Sequence, residues 1–170
     1  MKKCPVDLMI EQWAHERPDL DSSSLGVLAR ITRLARVAEE NASSVLDQYG
    51  LSDVEFQLLA AIRTAPDSHP APRDLLDPLM VTSGGLTNRI DRLETAGFVK
   101  RITNPSDRRG VLLNLTESGR ERIDQVTTAY LENQDRVLDD ALAKGERDIL
   151  ATLLRKLLAS LSGTPDSASA

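Results

Sequence analysis

The residues with the clearest chemistry lie in one polar stretch, residues 82–92. Ser83, Thr87 and Asn88 supply hydroxyl and amide groups, and a helical step of 100° per residue from Leu86 turns Asn88 and Arg92 away from the apolar stripe. Hydroxyls hydrogen-bond to base edges or phosphates, and an asparagine amide can contact adenine with two hydrogen bonds. Arg92, one turn further on, is expected to contact a phosphate. The predicted DNA contacts of this helix are Thr82, Ser83, Gly84, Thr87, Asn88 and Arg92.

Two glycines, Gly84 and Gly85, open the same helix. Glycine lowers helix stability, so a pair of glycines in the first turn needs a reason. Close approach of the backbone to another surface is such a reason, and the wall of a DNA major groove is such a surface. The pair therefore supports a helix that enters a groove.

A second basic feature is the pair Arg108 and Arg109 in the turn-rich segment 104–110. This segment is predicted to join two strands, residues 98–103 and 111–116, into a hairpin. Guanidinium groups at its tip can reach a phosphate or a narrow minor groove, and Asp107 can brace one of them. A solvated charged turn is the alternative, but the position directly after the polar helix favours DNA binding.

The elements around these residues are mostly helical. Apolar periodicity and capping residues predict helices over 6–17 and 24–49, and Ser52 with Glu55 forms a capping box that opens a third. Pro72 begins a short helix that Asp77-Pro78 distorts or ends, and Gly97 ends the polar helix. Two further helices follow the hairpin, over about 116–142 and 144–161. The order helix, turn, helix, hairpin predicts a mainly α winged helix-turn-helix.

The composition fits one globular domain. The chain has 170 residues, 41% of them apolar, and a net charge of −5, which is unfavourable for contact with phosphates. The stretch 87–110 is nevertheless locally positive, and the acidic excess lies on flanking helices. We expect a single domain over 1–170, made of N-terminal helices at 5–50, a DNA-binding unit at 51–119, dimerisation helices at 120–162 and a disordered tail at 163–170.

The same composition argues against several other classes of protein. Cys4 is the only cysteine and the two histidines are far apart, so we expect no metal, no cofactor and no internal disulfide. Cys4 as an oxidant sensor is a minor alternative. There is no nucleophile paired with a base and no phosphate-binding loop, so we expect no catalysis. Without a signal peptide or membrane span, the expected location is the cytoplasm.

Several motifs in order closely resemble MarR-family regulators. They are LMVTSGGLTNRIDRLE at 79–94, AGFV at 96–99, DRRG at 107–110 and LTESG at 115–119. The resemblance implies an intertwined homodimer joined by its terminal helices, with two recognition helices on a pseudo-palindromic operator. Half-sites would then lie about one helical turn apart. Repression is the usual mode of the family.

The additional N-terminal helix resembles the urate-responsive branch of that family. The resemblance implies a ligand site at Trp13, Gln57, Arg89 and Arg101, where the branch has an acid in place of Gln57. A neutral amide beside two guanidinium groups favours a more anionic ligand, so we predict a polycarboxylate such as citrate or aconitate over urate. Alternatively, Trp13 fills a core gap, and Arg89 and Arg101 bind phosphate or pair with acidic neighbours.

A winged-helix module used for architecture or protein interaction, without ligand sensing, is the alternative function. Such a module has no need for the polar helix face together with Arg108 and Arg109, and its binding should be insensitive to salt. DNA binding falls steeply with salt. The sequence therefore favours a regulator whose partners are double-stranded DNA, a small anionic effector and a second copy of the chain.

Overall fold

A computed structural model describes residues 4–65 and 69–162; for Arg108 and Arg109 it describes the backbone. The predicted disordered tail lies outside the described residues. The helices and strands are α1 Pro5–Glu16, α2 Leu25–Asp47, α3 Asp53–Thr64, a 3₁₀ turn Pro72–Leu75, α4 Leu76–Leu79, α5 Ser83–Thr95, β1 Val99–Asn104, β2 Asp107–Leu115, α6 Glu117–Asp139 and α7 Lys144–Ser162. The chain divides into two compact units after Ile123.

Local signals explain where the helices of the first unit begin and end. The hydroxyl of Ser52 accepts from the Glu55 N–H and the Glu55 carboxylate accepts from the Ser52 N–H, which is the predicted capping box. The Thr82 hydroxyl accepts from the Gly85 N–H at 3.2 Å and caps α5. Gly97 follows α5 with a φ of +77°, a conformation that favours glycine.

The apolar stripe of α5 packs into the core of the first unit. Leu86, Ile90 and Leu93 are all buried, as the periodicity predicts. Leu58 and Leu59 of α3 are buried as well, and α5 contacts both α3 and β1. This burial leaves the opposite face of α5 exposed.

The short helix before α5 is irregular for the predicted reason. It begins as a 3₁₀ turn at Pro72, continues as α4 and ends at Leu79, one residue after Pro78. Met80 then adopts φ +50° and ψ +41°, the left-handed conformation that reverses the chain towards α5. The order of helix, turn and second helix is confirmed.

The hairpin differs from the prediction at its tip. Residues 104–110 were expected to form one long connection, but Asn104 pairs with Asp107 and the turn between the strands contains only Pro105 and Ser106. Thr103 pairs with Val111, so residues 108–110 form an irregularity within β2. The main-chain N–H of Leu113 also donates to Pro70 at 2.9 Å, which ties β2 to the segment before the 3₁₀ turn.

The first turn of α6 is fastened to the end of α5. The Thr116 hydroxyl donates to the Gly97 carbonyl at 2.6 Å and accepts from the Gly119 N–H at 3.0 Å, and Ser118 donates to the same carbonyl at 2.9 Å. A Cβ at Gly119 would lie 1.9 Å from the Phe98 carbonyl oxygen. Only glycine fits at this contact.

The second unit contains the remainder of α6 and α7. Arg147 of α7 donates to Asp135 at 2.7 Å and to Asp139 at 2.8 Å, both on α6. Those hydrogen bonds and charges raise the pKa of Arg147 although desolvation opposes them. The apolar face of α7 is exposed, with Ile149, Leu153, Leu154, Leu158 and Leu161 each more than two-fifths accessible.

The predicted mainly helical fold with a two-stranded hairpin is confirmed. Within the described residues, no helix is both long and apolar enough to span a membrane.

Replacing Gly119 with alanine tests the tight contact at the start of α6. The added methyl collides with the Phe98 main chain, so we expect a loss of about 3 kcal/mol in the free energy of unfolding. Urea denaturation measures it. Gly145→Ala is the control, because its Cβ meets no atom within 4 Å. Equal stability of the two variants would contradict the contact.

Candidate nucleic-acid interface

The outer face of α5 carries the polar residues predicted to read DNA. Ser83, Gly84, Thr87 and Asn88 are all exposed there. The Thr87 hydroxyl donates back to the Ser83 carbonyl at 3.0 Å. No atom lies within 4 Å of a Cβ built on Gly84. The first two turns of α5 therefore present small groups and an open backbone to the outside.

Thr82, also a predicted DNA contact, forms the N-terminal cap of α5. Its hydroxyl caps α5 by accepting from Gly85. A cap of this kind satisfies one of the N–H groups that begin a helix without a partner. Thr82 therefore fixes where the polar face begins.

Arg92 contacts Glu55, a residue whose position in the sequence predicts only a helix cap. The Glu55 side chain is 3% exposed, and its Oε1 lies 3.2 Å from Nε of Arg92, whose own side chain is 71% exposed. Oε2 of Glu55 accepts from the Ser52 hydroxyl at 2.7 Å. The capping box was the only signal for Glu55, and it does not reveal the contact with α5.

Burial raises the pKa of the Glu55 carboxyl, but other effects outweigh it. The hydroxyl and N–H of Ser52 and the positive charges of Arg92 and Arg89 together hold this pKa below its ordinary value. Glu55 is therefore a buried carboxylate that remains ionised at neutral pH. It supplies a fixed negative charge beneath α5.

The four residues predicted to bind a ligand have different partners in the structure. Trp13 is half exposed, which argues against the core-filling alternative. The Gln57 amide donates to Asp53 at 2.5 Å. Arg89 is partly buried, as its place at the edge of the apolar stripe predicts. Its Nη1 donates to the Gly85 carbonyl at 3.3 Å, and its buried Nε has no hydrogen-bond partner among the described residues. No hydrogen bond within the described residues joins the four into one cluster.

Arg101 pairs with acidic residues of α5, which was one of the alternatives left open by the sequence. It donates to Asp91 at 2.6 Å and also forms an ion pair with Glu94. Desolvation lowers the pKa of Arg101, but the hydrogen bond to Asp91 and the charge of Glu94 raise it above its ordinary value. These pairs couple β1 directly to α5.

The predicted pair Arg108 and Arg109 lies in β2 of the hairpin, next to the two-residue turn. Their side chains lie outside the described part of the structure, so their contact with DNA stays a prediction.

A cleft that the sequence does not predict lies beside the outer face of α5. It has a volume of about 380 Å³ and lies between the 3₁₀ turn, the start of α5 and the hairpin. Ser83 and Thr87 line it, and Arg73 is the one cation among its described lining residues. None of the four predicted ligand residues lines it.

Cys4 is partly buried at the N-terminal cap of α1. Across residues 4–65 and 69–162, no group of three or more His, Cys, Asp or Glu side chains is placed to hold a metal ion.

The polar helix face, its preceding helix and turn, and the hairpin that follows define a winged helix-turn-helix protein. A model of the MarR family matches residues 49–110. The regulator PecS of Dickeya dadantii is 32% identical over 153 residues, covering 89% of this chain and 92% of PecS. The multiple antibiotic resistance protein MarR of Escherichia coli is 32% identical over 130 residues, or 74% of this chain and 89% of MarR. The chain belongs to the MarR family of transcriptional regulators.

Solved structures agree with this assignment. A cysteine-to-serine variant of Escherichia coli MarR, crystallised with operator DNA, is 28% identical to this chain. It superposes with a TM-score of 0.67 over 86% of this chain and 97% of that one.

The buried carboxylate predicts a pH dependence of stability. Because the pKa of Glu55 is lower in the folded state, its contribution is present above the unfolded pKa and is lost as pH falls through the folded value. We expect the urea midpoint of the wild type to fall more steeply between about pH 6 and pH 3 than that of Glu55→Gln, which cannot titrate. Parallel profiles would contradict the assignment.

Proposed function

We propose that this protein is a homodimeric regulator that binds a pseudo-palindromic operator and is released from it by a small anionic metabolite. The observation that carries the proposal is the exposed polar face of α5, from Ser83 to Asn88, anchored next to the hairpin. The structure of Escherichia coli MarR with operator DNA supports it, because that protein shares the family and the fold. Repression follows from the usual mode of the family.

Base and phosphate contacts divide between two elements. Ser83, Thr87 and Asn88 contact base edges in the major groove, and Arg92 contacts a phosphate. Arg108 and Arg109 of the wing reach a phosphate or the adjacent minor groove. Binding therefore weakens steeply with salt, although the whole chain carries a net charge of −5.

A second copy of the chain is the partner that the apolar face of α7 requires. Ile149, Leu158 and Leu161 are each more than three-fifths exposed, a degree of exposure that a stable monomer avoids for so many aliphatic residues on one helix. Burial of these residues between two copies joins the C-terminal helices. The two-fold axis then presents two recognition helices to half-sites about one helical turn apart.

Gly84→Ala is expected to change DNA affinity and folding stability in opposite directions. A Cβ there meets nothing within 4 Å, so we expect the free energy of unfolding to rise by about 0.5–1 kcal/mol. The same methyl projects from the face that enters the groove, so operator affinity falls about tenfold or more. Urea denaturation and fluorescence anisotropy with a labelled operator measure the two effects. An unchanged affinity would contradict the close approach of the backbone to DNA.

The effector of the proposed regulator is a polycarboxylate. Arg101 already binds two carboxylates, those of Asp91 and Glu94, so an anionic ligand reaches its guanidinium only by displacing them, and a ligand with several carboxylate groups can replace both. The buried Nε of Arg89 has no partner among the described residues and can donate to such a ligand. Gln57 adds no charge, in contrast with the acid of the urate-responsive branch. A ligand that replaces Asp91 and Glu94 at Arg101 breaks the link between β1 and α5 and turns the recognition helix.

The test is a mobility-shift assay with the DNA upstream of the protein's own gene, titrated with citrate, aconitate and urate. We expect citrate or aconitate to release the wild type, and Arg89→Ala to bind DNA but no longer respond. Arg73→Ala is the matched control, because it removes the cation of the cleft and should leave the response intact.

Each other outcome removes a defined part of the proposal. Release by urate alone would contradict the role given to Gln57. Loss of the response in Arg73→Ala instead of Arg89→Ala would move the effector to the cleft. Binding that salt abolishes but no ligand affects would remove the sensing role, and absence of any shift at low salt would contradict DNA binding itself.

A further inference from the structure

The proposed DNA contacts do not explain why a negatively charged residue is buried next to α5. Glu55 is the one buried charged residue of the described chain. A carboxylate inside a protein needs hydrogen bonds and opposite charges around it. Its two oxygens are used differently, and that difference indicates what the charge does.

Oε2 of Glu55 completes the helix cap. It accepts from the Ser52 N–H at 2.9 Å and from the Ser52 hydroxyl at 2.7 Å. A capping box needs only this one oxygen, which glutamine provides equally well. The cap therefore explains a polar residue at position 55 but not a charged one.

Oε1 of Glu55 faces the recognition helix. Nε of Arg92 lies 3.2 Å from it, and the charge of Arg89, one turn earlier on α5, also acts on the carboxylate. These contacts cross from α3 to α5. Among the contacts of Glu55 with described residues, only these require its negative charge.

The contact with Glu55 limits the conformations that the exposed Arg92 side chain can adopt. Its Nε lies against the buried carboxylate while the side chain as a whole is 71% exposed. An arginine on a helix surface samples many rotamers, and a fixed Nε removes much of that freedom before any partner arrives. The two terminal amino groups of the guanidinium are left for an external anion.

We propose that Glu55 is a positioning residue for DNA binding: its Oε1 holds the Arg92 guanidinium so that the terminal amino groups face a DNA phosphate. This inference rests on the proposed function, in which α5 binds DNA. Glu55 itself touches no DNA and acts through Arg92.

The proposal and simple electrostatics predict opposite changes in DNA affinity when the charge of Glu55 is removed. A negative charge beneath a DNA-binding face repels phosphates, so its removal strengthens binding if Glu55 serves only the cap or the core. Removal weakens binding if Glu55 positions Arg92. The direction of the change in Glu55→Gln, which keeps the cap, therefore distinguishes the two roles.

The experiment is a double-mutant cycle on the full chain, read by fluorescence anisotropy with a labelled operator. We expect Glu55→Gln to weaken binding about threefold to tenfold, and to have no further effect when Arg92→Ala is already present. The salt slope should fall in Arg92→Ala, which removes a phosphate contact, and stay unchanged in Glu55→Gln. Glu121→Gln, which removes an exposed charge, should bind equally well or slightly more tightly.

Arg92→Lys provides a second test that leaves the buried residue in place. It keeps the positive charge but lacks the Nε that meets Oε1, so it should weaken binding as Glu55→Gln does. Unchanged or tighter binding by Glu55→Gln would overturn the proposal, as would effects of Glu55→Gln and Arg92→Ala that simply add. A wild type that binds no operator at low salt would instead overturn the proposed function on which this inference depends.

Discussion

The position of α5 relative to the hairpin depends on one close contact at the C-terminal end of this helix. The first turn of α6 lies so near the Phe98 main chain that Gly119 has no room for a side chain, and Thr116 and Ser118 both donate to the Gly97 carbonyl. This contact fixes the end of α5, the start of β1 and the start of α6 together. The polar face of α5 and the hairpin consequently keep one relative position, as the proposed DNA contact by both elements requires.

Much of this arrangement is local and could be predicted from the sequence. The Ser52 capping box and the end of α5 at Gly97 both follow from neighbouring residues, and the structure confirms both. The hairpin tip was predicted wrongly. Residues 107–110 have the composition of a turn, but pairing of Asn104 with Asp107 extends β2 through them, because strand pairing outweighs weak local preference.

The chemistry of the interface was less accessible to sequence reasoning, because it depends on contacts between distant elements. Glu55 and Arg92 are 37 positions apart, and the capping box already gave Glu55 a sufficient explanation. Arg101 was expected to contact a ligand, bind phosphate or pair with acidic neighbours, and only the strand-to-helix packing reveals its pairs with Asp91 and Glu94. Residue types thus identified the charges, while the tertiary structure determined how they pair.

The outer face of α5 does little to hold the protein together. Gly84 and Asn88 are exposed, whereas Leu86, Ile90 and Leu93 beneath them form the core. Exchange of the outer residues therefore costs the fold little, while the inner stripe must be retained. A duplicated gene for such a regulator can acquire a new target sequence through a few substitutions on one helix. Regulatory networks can therefore change in evolution while the fold of the regulator is retained.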